Sequence, residues 1–105
     1  MTANFWIEKG WGDQVDNVTI DDIKIAIQET INMDDEHGAF WSGSYDNEYV
    51  MEIHKDLNLF FVMGDNPNDQ MTKKLSSWIE VERLYQLFIN SNYEQIKIEL
   101  TENNG

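Results

Sequence analysis

Residues 39–63, AFWSGSYDNEYVMEIHKDLNLFFVM, carry the pattern on which the fold turns. Tyr49, Met51 and Ile53 alternate with Val50, Glu52 and His54, as in a strand that buries one face. Lys55 and Asp56 open a short loop, and 59–63 is an almost unbroken apolar run. That run predicts a central strand covered on both faces, paired in a hairpin with 49–54. Upstream, 39–45 is aromatic and small, interrupted by Gly43, and Asp46-Asn47 signals a turn. These segments make the middle of the chain a sheet.

Helical and further strand patterns flank it. Residues 4–9 form a strand candidate, with Phe5 and Ile7 on one face and Trp6 and Glu8 on the other; Gly10-Trp11-Gly12-Asp13 breaks it. Thr19 stands three residues before Asp22, an aspartate version of a capping box. Ile20, Ile23, Ile27 and Ile31 then recur at helical spacing. That helix should fray over 33–36 and stop by Gly38, in a left-handed cap. After the loop 64–69, residues 70–75 read as an edge strand guarded by Lys73 and Lys74, or as loop. Ser77 with Glu80 predicts a second capping box, followed by a helix that buries Trp78, Val81, Leu84, Tyr85 and Phe88. Ile96, Ile98 and Leu100 alternate with Gln95, Lys97 and Glu99, which predicts a last strand. The expected fold is one α+β domain over 1–105. It has an antiparallel or mixed sheet of five to six strands and two amphipathic helices, in the order β-α-β-β-β-(β)-α-β.

Composition bounds the function. The chain has 105 residues, 41% of them hydrophobic, with four Trp, four Tyr and five Phe, which is a folded domain's payload. It has no cysteine, so disulfides, thiolate nucleophiles and cysteine-ligated zinc are excluded, and a reducing cytoplasm suits it. The N-terminal residues lack the pattern of a signal peptide, and no apolar stretch is long enough to span a bilayer. A cytoplasmic, soluble protein is expected. Twenty Asp and Glu against seven Lys and Arg leave a formal net charge of −13. Such a surface disfavours nucleic acid and anionic membranes as direct partners. It serves solubility, or it steers a basic partner; charge alone does not separate the two.

Catalytic constellations are scarce. His54 ends a strand on the face of Val50 and Glu52 and reads as a surface histidine. His37 follows Asp34-Asp35-Glu36, but consecutive residues at a helix end point apart, so a solvated acidic rim is expected there instead of a metal site. The run 65–69 fails as a calcium loop, with Pro67 at the third position, Gln70 at the sixth and Ser76 at the twelfth. Gly10-Trp11-Gly12-Asp13 has too few glycines and no lysine for a phosphate loop. No Gly-x-Ser-x-Gly is present. The chain therefore reads as a non-enzyme that needs no cofactor and no metal. Trp6, Trp11, Trp41 and Tyr45 lie outside the clean periodic faces, and core packing accounts for two or more of them. Trp41 and Tyr45 also border Asp46 and Glu48, close in sequence to Asp34, Asp35 and Glu36. Aromatic anchors rimmed by carboxylates suit a binder of a basic protein.

In layout, the chain resembles bacterial immunity proteins, the small antitoxins encoded beside polymorphic or contact-dependent-inhibition toxins. The resemblance rests on the Trp-containing first strand with Gly10-Trp11-Gly12, a helix, and the strands over 40–63. The Trp78-Ile79-Glu80-Val81-Glu82 helix and the closing segment 95–100 complete it. It implies binding to a cognate toxin, a basic nuclease domain, whose active site or groove an acidic surface would cover. The pool of contact residues is Asp34, Asp35, Glu36, Trp41, Tyr45, Asp46, Glu48, Asp65 and Asp69, chosen on charge and loop placement. An acidic adaptor, or a nucleic-acid mimic that inhibits another basic protein, remains the alternative. The oligomeric state is left open.

Overall fold

Alternation becomes burial along each strand of the computed structural model, which describes residues 5–44, 49–63 and 70–101. The strands are β1 (Phe5–Lys9), β2 (Gln14–Asp16), β3 (Ala39–Ser44), β4 (Tyr49–His54), β5 (Asn58–Met63) and β6 (Gln70–Lys74). They pair antiparallel throughout, in the order β2-β1-β3-β4-β5-β6. Three helices are described: α1 (Ile20–Asn32), α2 (Trp78–Ile89) and α3 (Tyr93–Thr101). The fold is α+β, as the order of patterns implies, with one more helix than the sequence predicts. The expected turn at 46–47 and the loop 64–69 lie outside the described residues.

One face of the sheet carries the core. Phe5, Ile7, Phe40, Met51, Ile53, Leu59 and Phe61 are buried there, against Ile23, Ala26 and Ile27 of α1. Val81, Leu84, Tyr85 and Phe88 of α2 and Ile96 and Leu100 of α3 close the same cluster. The Phe88 ring stands at its centre, with centroids 5.4 Å from Phe5, 6.1 Å from Phe61 and 5.7 Å from Tyr93, each edge-to-face. Lys9 shares this inner face and is buried; its ammonium is held by Glu29 of α1 at 2.5 Å, which offsets the cost of removing it from water. On the edge strand, Lys73 donates to the Glu99 carbonyl near the end of α3 at 3.3 Å.

The helix ends follow the capping signals only in part. Thr19 and Asp22 form the complete reciprocal box at α1. At α2 the Ser77 hydroxyl accepts from the Glu80 backbone N–H, but the Glu80 carboxylate bypasses Ser77. It takes the backbone N–H and hydroxyl of Ser76, both at 2.8 Å, and these hydrogen bonds hold its pKa below the ordinary value. Nor does Gly38 cap α1. The helix stops at Asn32 with an extended Met33. Gly38 is needed for space, since a Cβ there would lie 2.8 Å from the Asp34 carbonyl and 2.9 Å from Lys55 Cβ.

The strand expected over 95–100 is the helix α3. Ile96 and Leu100 are four residues apart, so both fit one helical face, while Ile98 turns outward and is 50% exposed. Alternation over five residues is thus shared by both periods, and local pairs favour the helix. Gln95 bonds Glu99 at 3.1 Å, and Lys97 pairs with Glu94 at 3.4 Å. The turn into α3 is a Schellman motif: Ser91 N–H donates to Phe88 C=O and Asn92 N–H to Leu87 C=O. Ser91 occupies its left-handed position, with φ 61°. Two further differences concern the sheet. The break at 10–13 is a hairpin turn that leads into β2, a strand too short to show a pattern. The apolar run of β5 is not covered on both faces, for Phe60 and Val62 are only half-buried.

Replacing Ser91 by Gly relieves the left-handed strain, so a gain of about 1 kcal/mol in unfolding free energy is expected by urea titration. Phe88→Ala should cost about 3–5 kcal/mol in the same assay, because it opens a cavity where four other rings converge, those of Phe5, Phe61, Tyr85 and Tyr93.

Candidate functional site: the outer face of the sheet

The same pleat sends a second set of side chains away from the helices. Across β1, β3, β4 and β5, the paired residues Trp6, Gly43, Val50 and Val62 form one row, and Glu8, Trp41, Glu52 and Phe60 the next. His54 follows on β4. These side chains, Gly43 apart, are half-buried, and all three described helices pack into the core on the opposite side. The face therefore presents two indoles, a phenyl ring and two valines, interspersed with carboxylates.

Its geometry is set residue by residue. Gly43 has no side chain because the Trp6 ring lies on it: a Cβ there would sit 2.2 Å from Trp6 Cζ2. Glu8 is oriented from both neighbouring strands. Trp41 Nε1–H donates to its Oε1 at 2.7 Å, and Gln14 Nε2–H to its Oε2 at 2.9 Å. Beside these groups lies a cleft of about 360 Å³, lined by Trp6, Ile7, Glu8, Gln14 and Asp16. Glu52 is paired differently. It meets His54 Nε2, while the His54 ring stands edge-on to Phe60 with centroids 5.4 Å apart. Beneath it, on the core side, the Tyr85 hydroxyl donates to the Met51 carbonyl at 2.8 Å. Burial pushes that phenol well above its usual pKa, and the Glu52 charge adds to the effect, so Tyr85 stays neutral and acts as a donor.

Of the sequence-predicted contact residues, Trp41 lies in the middle of this face. Asp35 reaches its margin, in a cleft of about 420 Å³ shared with Gly38, His54, Lys55 and Asp56. Asp34 serves its own turn: its carboxylate accepts from the His37 backbone N–H at 2.8 Å and meets His37 Nδ1 at 3.0 Å, and these bonds lower its pKa. Glu36 is exposed on the same turn. Tyr45, Asp46, Glu48, Asp65 and Asp69 lie outside the described residues. Trp6, Glu8, Gln14, Glu52, His54 and Phe60 are absent from the predicted pool. Strand alternation already placed Trp6 with Glu8, and Val50 with Glu52 and His54. What it lacked was the register that joins those two faces into one.

Among the described residues, no group of three or more His, Asp or Glu side chains is arranged to hold a metal ion, and no helix is long and apolar enough to cross a membrane. No family model matches the chain, and no curated protein or solved structure matches it.

Gly43→Ala tests the packing of this face. The new methyl must displace the Trp6 ring, so a loss of about 1–3 kcal/mol in stability and a shifted Trp6 indole N–H resonance are expected. A variant with an unmoved indole signal would show that Trp6 does not rest on Gly43.

Proposed function

We propose that this chain is an immunity-type inhibitor, which docks a basic toxin domain on the outer face of its sheet. One observation carries the reading: Trp6, Trp41 and Phe60 share that face with Glu8 and Glu52, on a chain of net charge −13. Aromatic side chains of low conformational entropy supply the anchors of a protein interface, and carboxylates among them select a partner of opposite charge. An interface of standard size, about 800 Å² on each partner, is within the reach of such a sheet face. Long-range attraction from the rest of the acidic surface speeds encounter, while the face itself governs how long the complex lasts. The basic partner favoured by this reading is a nuclease domain, whose phosphate-binding groove the carboxylates would fill.

The test is co-expression with the product of the gene immediately upstream, followed by capture of the complex at low and moderate salt. Stable capture of a basic protein together with loss of its toxicity supports the reading. Capture of a non-toxic constant partner would replace it with an acidic adaptor. Reversing Glu8 and Glu52 to Lys should slow association by about tenfold or more and weaken its salt dependence. Reversing Glu82 and Glu94 on the helical layer changes the net charge equally and should have a much smaller effect.

A further inference from the structure

We infer that Glu8, with the indoles of Trp6 and Trp41, forms a receptor for one arginine side chain of the docked protein. The inference rests on the reading that a basic protein binds this face. It starts from how the two carboxylates of the face differ. Glu52 is engaged by the His54 ring through Nε2. Among the described residues, Glu8 is held by neutral donors alone, the Trp41 indole and the Gln14 amide, which orient its carboxylate without offsetting its charge. Four of the seven cations are paired elsewhere: Lys9 with Glu29, Lys55 with Asp35, Arg83 with Glu99 and Lys97 with Glu94. Among the described residues, no lysine or arginine lies within ion-pair distance of Glu8.

A carboxylate has about four lone-pair sites, and the two donors use one on each oxygen. One further site on each oxygen suits two parallel N–H groups, which a guanidinium offers and an ammonium does not. Trp6 stands two residues away on the same strand face, and its ring packs against Gly43. A guanidinium can stack on such a ring while it bonds the carboxylate. The adjoining cleft of about 360 Å³ is at the small end of ligand-sized pockets, which ordinarily hold ~300–1,000 Å³. A second copy of this chain is a poor occupant, since it would bring another −13 charges to the same carboxylates.

The test uses the full chain, whose four Trp give four indole N–H resonances, with those of Trp6 and Trp41 assigned by Trp6→Phe and Trp41→Phe. The capped tripeptides Gly-Arg-Gly and Gly-Lys-Gly are titrated separately at low ionic strength. The arginine peptide should move the Trp6 and Trp41 signals at a concentration at least about fivefold lower than the lysine peptide, given the strength of bidentate charge-assisted bonds. Glu8→Gln, nearly isosteric, should abolish that preference; Trp6→Leu should weaken it. Equal response to both peptides, or a preference that survives Glu8→Gln, would overturn the arginine receptor and leave the docking face standing. Shifts confined to α1, α2 and α3 would overturn the receptor and the docking face together.

Discussion

The pleat of an antiparallel sheet allows two environments, and here helices occupy only one of them. Once Phe5, Ile7, Phe40, Met51, Ile53, Leu59 and Phe61 are committed to the helical side, their neighbours along each strand have no choice but the other. A slip of one residue in the β1–β3, β3–β4 or β4–β5 pairing would bury Glu8 or Glu52 and expose a phenylalanine. That cost, repeated over the three central strand pairs, is what holds the register. The outer face is therefore a consequence of the core, and its composition is free to serve something besides folding.

Charge is distributed in keeping with this division. Four of the seven cations pair with carboxylates on or beside the helical layer, where they support helix packing and turns. Lys9 is the clearest case, a buried ammonium that ties β1 to α1 through Glu29. The outer face keeps Glu8 oriented by uncharged donors. Self-repulsion of so acidic a chain costs stability, and a basic partner would relieve it. Rigidity matters equally: Trp6 rests on Gly43, and Trp41 is tied to Glu8, so little side-chain entropy is left to lose on contact.

Local signals were legible where they did not compete. Thr19 with Asp22 marks the start of α1, and the stripe of Val81, Leu84, Tyr85 and Phe88 marks the buried side of α2. They failed where two periods coincide. Ile96 and Leu100 satisfy a strand and a helix equally; the Schellman turn at Ser91, the packing of Tyr93 against Phe88 and the local pairs Gln95–Glu99 and Lys97–Glu94 make α3 a helix. Gly38 illustrates another confusion, since a glycine needed for close approach to Asp34 and Lys55 looks in sequence like one needed for a left-handed cap. The short β2 carries too few residues for any periodicity, yet it supplies Gln14 to the site.

By itself the sequence determined the element types in the middle of the chain, the apolar stripes of α1 and α2, the acidic balance and the side of each strand on which a residue falls. These depend on neighbours within a turn or two of backbone. Tertiary structure decided which side stays open and which residues meet on it. Glu8 and Trp41 are 33 residues apart, and their hydrogen bond exists because the β1–β3 register sets them opposite each other. Register is chosen by burial of the whole core, a property of all the strands and helices together, so no local pattern contains it.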